Sequence, residues 1–127
     1  MKETQPKLFA GVWMDHRNAL FIASENESTG YSILNKVKAG EYHGDKGEHA
    51  ANNAERADNR KYFKSIANLL LKYDEILIIG PGKSQEEFQN FLKEDSHFRD
   101  KKITVDSAGQ ITDNQMIAIV RDFFKNG

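Results

Sequence analysis

The chain contains no cysteine, two prolines and one tryptophan among its 127 residues. The absence of cysteine excludes disulfides, thiolate catalysis and cysteine-ligated zinc or iron–sulfur sites. Neither sign of charge dominates, because 18 Lys and Arg residues stand against 19 Asp and Glu residues, for a formal net charge of −1. A protein that coats nucleic acid nonspecifically would be strongly basic, so the charge balance argues against that class. A local surface that contacts RNA stays possible.

Long apolar runs are missing as well. No run approaches the roughly 18–20 residues that a membrane span needs, and the charged start of the chain does not have the form of a secretory signal. We therefore expect a cytoplasmic protein without a membrane partner. The length suits one domain, and 39% hydrophobic with 29% charged residues is typical of globular proteins.

Two apolar runs near the N-terminus flank a short polar segment. The runs are Leu8–Met14 and Ala19–Ala23, and the polar segment is Asp15–Asn18. This arrangement predicts a β-hairpin. The segment Tyr31–Val37 alternates in part and predicts a third, half-exposed strand at the edge of the sheet. Three of its apolar residues are expected to share one face: Tyr31, Ile33 and Val37.

The second half of the chain has helical and strand patterns in alternation. An apolar stripe at helical spacing runs from Arg60 to Tyr73 and predicts an amphipathic helix. The continuous apolar run Glu75–Gly80 predicts a central strand that is covered on both faces. A further short strand is expected at Lys102–Val105.

Two capping boxes mark the starts of the remaining helices. Ser84 with Glu87 predicts one helix start, and Thr112 with Gln115 predicts the other. The complete order is β-β-β-α-β-α-β-α within a single domain spanning residues 1–127. Three antiparallel strands followed by parallel additions beside the first define an α/β fold, a ribonuclease H-like mixed five-stranded sheet in three layers with helices on both faces.

A polar segment separates the two halves. Residues 39–59 contain no aliphatic side chain larger than alanine, although they include His43 and His49. Loops of this length without a core-forming residue are uncommon in compact domains and are usually functional or disordered. We expect a long polar loop at about 39–59, with the alternative that the next helix begins earlier, at the alanines after His49.

The sequence Gly-Pro-Gly-Lys-Ser at residues 80–84 lies between a buried strand and a helix N-terminus, where free N–H groups and the helix dipole favour anions. A nucleotide-binding phosphate loop needs a glycine where this chain has Leu77. The favoured interpretation is a tight turn in which the glycines adopt positive φ and Ser84 caps the helix. Weak anion binding is a second expectation, through Gly80, Gly82, Lys83 and Ser84.

Three aspartates lie beside predicted strand ends, namely Asp15, Asp74 and Asp106. A ribonuclease H-like nuclease uses a carboxylate cluster to hold two metal ions. In this chain Asp74 precedes its strand, whereas the other two follow theirs. We therefore expect the carboxylates at opposite edges of the sheet, where they cannot form one cluster.

Imidazole and carboxylate groups suited to a divalent transition metal occur together at His43, Asp45, Glu48 and His49. Their spacing matches no common metal motif, and solvated loop residues are the ordinary interpretation. His16 is likewise expected to be a solvated turn residue. We assign no catalytic residue, no metal ligand and no cofactor.

Basic residues cluster where the polar segment meets the following helix. They are Arg56, Arg60, Lys61 and Lys64. Such side chains contact RNA phosphates in many proteins. Because Glu55 and Asp58 are interspersed among them, a solvated helix face is the alternative interpretation.

Three segments resemble proteins of the translation apparatus. The segment Ile76–Phe88, with Gly-Pro-Gly between strand and helix, resembles Pelota, a ribosome-rescue relative of archaeal and eukaryotic class-1 peptide-chain release factors. The opening Val12–Ala19 and the ending Asp113–Phe124 are similar to those of short bacterial translational machinery proteins. The element order is similar to that of the middle domain of the release factors, which also has a ribonuclease H-like sheet.

This resemblance implies a translation-associated factor that contacts the ribosome or a tRNA. In release factors, the loop between the third strand and the first helix carries a Gly-Gly-Gln motif that positions the water for peptide release. The corresponding residues 40–59 contain neither glutamine nor paired glycines, so the resemblance implies no peptide-release activity.

Two other classes of function stay open from the sequence. A metal-dependent hydrolase, either a nuclease or a peptidyl-tRNA esterase, would depend on Asp15 or His49. An interaction module would self-associate, for example as a homodimer, through the exposed edge of the Tyr31–Val37 strand.

Overall fold

Five strands and three helices occur in the part of the chain that the computed structural model describes, residues 7–24, 30–39 and 51–126, with the backbone alone for 51–59 and 126. The strands are β1 Phe9–Met14, β2 Asn18–Ser24, β3 Tyr31–Lys38, β4 Glu75–Gly80 and β5 Lys102–Ser107. The helices are α1 Ala51–Leu70, α2 Ser84–Lys93 and α3 Asp113–Asn126, and a 3-10 turn at Ser96–Phe98 follows α2. The predicted order of elements is confirmed.

The strands form one mixed sheet in the order β3-β2-β1-β4-β5. The first three strands pair antiparallel, β4 lies parallel beside β1, and β5 lies parallel beside β4. This is the predicted layout, with parallel strands added beside the first strand. The prediction of a covered strand at 75–80 is also confirmed, since every residue of β4 after Glu75 is buried.

Helices cover both faces of the sheet, as the sequence predicts. Side chains of β1 alternate between the two layers, with Val12 and Met14 in one core and Trp13 in the other. The larger core packs α1 and α2 against the sheet through residues such as Tyr62, Ile66, Leu70, Phe88 and Leu92. The smaller core packs α3 through Met116 and Val120. In the described ranges, no helix is long and apolar enough to cross a membrane.

A bulge in the ladder between β2 and β3 leaves Leu34 as an extra residue on β3. An extra residue reverses the alternation of side chains between the two faces of the sheet. Tyr31 and Ile33 therefore pack in the core beside α3, whereas Leu34 and Val37 pack in the core beside α1 and α2. The prediction that Tyr31, Ile33 and Val37 share one face is wrong for this reason.

The β3 edge carries charged side chains. Lys36 and Lys38 are exposed on this strand, and the bulge disturbs its regular pleat. Lysines and bulges are two of the devices by which edge strands avoid pairing with another chain. The position of β3 at the edge is confirmed, while self-association through it stays a prediction.

Helix α1 begins at Ala51, so the earlier of the two start positions considered for it is correct, and the predicted loop is helical after residue 50. Residues 40–50 lie outside the described part of the chain. At the other end of α1, the Lys101 ammonium group donates hydrogen bonds to the carbonyls of Leu71 (2.7 Å) and Tyr73 (2.6 Å). A cation at this position satisfies carbonyls that the end of a helix leaves without a partner.

The two predicted capping boxes have different outcomes. Thr112 and Gln115 form a reciprocal pair, in which each side-chain oxygen accepts from the backbone N–H of the other residue, at 3.1 and 2.9 Å. At the start of α2 the capping residue is Lys83, which makes no side-chain capping bond, and Ser84 is already inside the helix. The prediction of a capping box at Ser84 and Glu87 is therefore wrong. The Ser84 hydroxyl bonds to His16 instead.

Gly11 on β1 lies directly beneath α3. A Cβ atom added at this glycine would overlap the methyl groups of Val120. Val120 is fully buried, so its side chain has no open space into which it could move. The close approach of α3 to the sheet thus requires a residue without a side chain at position 11.

We expect the substitution Gly11→Ala to lower the free energy of unfolding by about 1–3 kcal/mol, because α3 must shift away from the sheet to admit the methyl group. Urea denaturation followed by circular dichroism measures the effect. Gly82→Ala is the matched control, since a Cβ atom there meets nothing within 4 Å. Equal stability of the two variants would show that α3 does not pack against β1 as closely as described.

Candidate functional site

The carboxyl ends of β1 and β4 lie side by side, and the chain leaves them in different directions. β1 turns through Asp15–Arg17 into its antiparallel neighbour β2, whereas β4 turns through Pro81–Lys83 into α2. In α/β sheets, ligands bind in the crevice outside the carboxyl ends of strands where the connections diverge in this way. The side chains at this crevice are therefore candidates for a functional site.

A hydrogen bond between His16 and Ser84 joins the two turns, with 3.0 Å between the imidazole Nδ1 and the hydroxyl Oγ. Ser84 is 2% exposed, whereas His16 is exposed. The Asp15 carboxylate holds the hairpin turn by accepting from the N–H groups of Arg17 and Asn18, each at 2.8 Å. His16 is thus an exposed turn residue, as predicted, and its bond to Ser84 holds the imidazole at the crevice.

Gln85 fills the space behind this pair and is 2% exposed. Its Nε2 donates to the carbonyl of Gly80 at 2.9 Å, while its buried Oε1 has no hydrogen-bond partner among the described residues. A Cβ atom at Gly80 would overlap the carbonyl oxygen of Met14 and stand 2.7 Å from that Oε1. Close packing of β1, β4 and α2 thus requires glycine at position 80.

The prediction that the glycines of this turn adopt positive φ is wrong. Within the described residues, Gly30 is the glycine with a positive φ, of 76°. At the start of α2, the N–H groups of Glu86 and Glu87 both donate to the carbonyl of Lys83 at 3.0 Å. These two acidic residues already lie in the first turn, where an anion would otherwise interact with the helix dipole.

Anion binding at Gly80, Gly82, Lys83 and Ser84 stays a prediction. The Ser84 hydroxyl bonds to His16 and Gly80 is buried against β1, so these contacts hold the turn in place of the positive φ and the Ser84 cap of the tight-turn interpretation. Gly82 and Lys83 are the exposed members of the set. The crevice is therefore filled by polar contacts that fix the two turns relative to each other.

We expect Ser84→Ala and His16→Ala each to reduce the free energy of unfolding by about 1 kcal/mol, the usual contribution of one partly buried hydrogen bond. The double variant is expected to lose less than the sum of the two, by about 0.5–1.5 kcal/mol, because both changes remove the same bond. Urea unfolding of all four proteins measures this coupling. The exposed Ser32→Ala serves as a control, and strictly additive losses would contradict a stabilising His16–Ser84 bond.

The aspartates occupy the positions expected from the sequence. Asp15 and Asp106 lie at the carboxyl ends of their strands, whereas Asp74 lies at the opposite edge of the sheet. There its Oδ2 accepts from the N–H of Leu8 at 2.8 Å, and its carbonyl accepts from the N–H of Lys102 at 3.1 Å. Asp74 is thus a residue that joins the starts of neighbouring strands, and the three carboxylates do not form one cluster.

Metal-ligating side chains do not converge in the described ranges, where no group of three or more His, Asp or Glu residues could hold an ion. The other candidate ligands, His43, Asp45, Glu48 and His49, lie outside the described residues.

The predicted basic residues lie along α1. Arg60, Lys61 and Lys64 are exposed, and Arg56 belongs to the same helix, although its side chain lies outside the described part of the chain. Arg60 and Lys64, one helical turn apart, line the same groove, whereas Lys61 does not line it. The structure therefore brings two of the four predicted residues together at one surface feature.

This groove, here called the α1–α2 groove, has a volume of about 660 Å³. Arg60 and Lys64 form a cationic wall on α1, and the chain that leaves α2 forms the opposite wall, with Glu94, Asp95 and His97. Apolar side chains contribute to the lining between the walls: Ala67, Leu71, Phe91 and Phe98. This groove is not predictable from local sequence patterns, because its walls are more than twenty residues apart in the chain.

The acidic wall is held in place by hydrogen bonds. Asp95 Oδ1 accepts from the backbone N–H of His97 at 2.9 Å and lies 2.8 Å from Nδ1 of the same residue. The backbone bond, followed by the side-chain bond, holds the pKa of Asp95 below its ordinary value, and the charge of Lys64 acts in the same direction. Asp95 therefore keeps its negative charge at neutral pH, opposite a wall of positive charge.

Comparison with known proteins identifies the fold. No protein-family model and no curated protein matches the chain. Among solved structures, Pelota from Archaeoglobus fulgidus is similar, with a TM-score of 0.61 and 13% identity over 93% of this chain. The archaeal translation termination factor aRF1 has a TM-score of 0.53, with 11% identity over 93% of this chain.

A chain from a ribosome-bound assembly of archaeal Pelota and ABCE1 is similar as well, with a TM-score of 0.57 and 21% identity over 87% of this chain. The chain spans about a third of the length of these structures, namely 32%, 39% and 30%. The fold is thus Pelota-like and release-factor-like, in agreement with the resemblance found in the sequence. A shared fold does not by itself fix a function.

Proposed function

We propose that this chain is a translation-associated factor that contacts the ribosome or a tRNA and does not itself release the peptide. The observation that carries the proposal is the fold, which is shared with a translation termination factor and with a chain of a ribosome-bound assembly. Residues 40–59 lack the Gly-Gly-Gln motif, which supports a role other than peptide release.

The exposed basic residues in the middle of α1 support RNA as the contacted surface. Arg60, Lys61 and Lys64 lie on adjoining faces of one helix, and their long cationic side chains suit contacts with phosphate groups. Lys61 does not line the α1–α2 groove, so RNA bound on its side of α1 avoids the carboxylates of Glu94 and Asp95. We therefore propose the outward face of α1 as the RNA-contacting surface.

Replacement of Arg60, Lys61 and Lys64 by glutamate is expected to reduce the share of the protein in the ribosomal fractions of a low-salt sucrose gradient. Phosphate contacts release counterions, so the binding of the unchanged protein weakens as salt rises. The slope of the logarithm of the binding constant against the logarithm of the salt concentration is expected to decrease in magnitude by about three when three such contacts are lost. Co-sedimentation across a salt series measures both effects.

A matched control reverses the same number of charges elsewhere. Lys36, Lys102 and Lys125 are exposed on β3, β5 and α3, and so belong to elements other than α1. Their replacement by glutamate changes the net charge equally, and co-sedimentation is expected to be kept. Loss of binding in both triple variants would show that ribosome binding depends on overall charge and not on the basic residues of α1. If the unchanged protein stays at the top of the low-salt gradient, the proposed function is contradicted.

A further inference from the structure

The α1–α2 groove has charges of both signs. One wall is cationic, through Arg60 and Lys64, and the other is anionic, through Glu94 and Asp95. The four formal charges cancel. A polyanion placed in the groove would be attracted by one wall and repelled by the other, so RNA is poorly matched to this surface.

Apolar side chains line the groove between these walls. Leu71 is 43% exposed, which makes it one of three large apolar residues with substantial exposure in the described residues, the others being Leu8 and Ile119. Phe91 is half-buried and lines the same groove. Leu71 and Phe91 thus give the groove accessible apolar surface between charged rims, the arrangement of an apolar centre and polar rim found where proteins bind one another.

The length of the groove fits a short helix. Its lining along α1 and the residue after it runs from Arg60 to Leu71, which corresponds to about 16 Å along a helix axis at 1.5 Å per residue. A partner helix of about three turns covers that distance. Amphipathic helices commonly bind in such grooves by inserting apolar side chains at spacings of three and four residues.

We propose that the α1–α2 groove binds an amphipathic helical segment of a partner protein, whose apolar stripe has acidic residues on one flank and basic residues on the other. The acidic flank pairs with Arg60 and Lys64, and the basic flank pairs with Glu94 and Asp95. The apolar stripe covers Leu71 and Phe91. This proposal rests on the groove and not on the proposed RNA contact, although Arg60 and Lys64 belong to both proposed surfaces.

Three synthetic helical peptides of about 14 residues test the proposal, a length that spans the groove with a margin at each end. All carry leucines at spacings of three and four residues. The first has Glu on one flank and Lys on the other, the second has Glu on both flanks, and the third has Lys on both. Fluorescence anisotropy titration of the full chain is expected to show saturable binding of the first peptide and about tenfold weaker binding of the others, a factor that corresponds to about 1.4 kcal/mol.

Substitutions in the chain locate the binding surface. Leu71→Asn is expected to weaken binding of the first peptide, here called the mixed peptide, about tenfold or more, since it removes the most exposed apolar contact. Leu8→Asn is the matched control, because Leu8 is 44% exposed and does not line the groove. Circular dichroism establishes that each variant is folded.

Charge reversal gives a second readout that does not need an altered apolar surface. Glu94→Lys replaces an exposed carboxylate of the anionic wall by a cation. Because Asp95 keeps its negative charge, the wall of this variant has no net charge, and the all-Glu and mixed peptides are expected to bind with similar affinity, unlike their order for the unchanged chain. This loss of preference carries the test if Leu71→Asn fails to fold.

Several results would overturn the proposal. They are the absence of saturable binding by the mixed peptide, equal affinity for all three peptides, and an unchanged peptide preference in Glu94→Lys. Single-stranded RNA that binds in the groove, shown by weaker RNA binding in Leu71→Asn but not in Leu8→Asn, would assign this surface to RNA instead. None of these results depends on whether the chain co-sediments with ribosomes, so failure of this proposal and failure of the proposed function are distinguishable.

Discussion

The packing of β1 is the constraint on which the rest of the structure depends. This strand has a neighbour on each side and a helical layer on each face. Two glycines make that packing possible, since Gly11 admits Val120 from α3 and Gly80 admits the Met14 carbonyl from β1 itself. A core packed to this density cannot accept even a methyl group at either place without moving a whole element. The positions of α2 and α3 are therefore set by what β1 tolerates.

The same packing explains why the crevice at the carboxyl ends of β1 and β4 holds structural contacts. Once α2 lies close to β1, the Ser84 hydroxyl meets His16 and the Gln85 amide meets the Gly80 carbonyl. Those groups fill the place where many α/β proteins bind a ligand. Recognition then has to use surfaces outside this crevice, and among the described residues α1 presents both a row of cations and one wall of a groove.

Local patterns in the sequence predicted what depends on local chemistry. The Thr112–Gln115 capping box and the buried β4 follow from residues within a few positions of one another, and both predictions are confirmed. The capping box at Ser84 is wrong because its hydroxyl bonds to His16, which lies 68 residues away. The predicted face of the sheet for Val37 is wrong because a bulge reverses the alternation of side chains along β3. That bulge depends on the register of β3 with β2. The acidic wall of the α1–α2 groove likewise could not be predicted from the sequence, because the groove depends on the tertiary contact between α1 and the end of α2.

The two proposed surfaces share Arg60 and Lys64, and this sharing has a thermodynamic consequence. A partner helix whose acidic flank pairs with these cations neutralises charge that RNA phosphates would otherwise use. Since coupling between two ligands is reciprocal, RNA bound to α1 must weaken helix binding by the same factor by which the helix weakens RNA binding. Lys61 lies outside the groove and stays available to RNA in either case. The arrangement therefore implies competition of limited strength, in which the partner helix reduces the attraction of α1 for RNA without abolishing it.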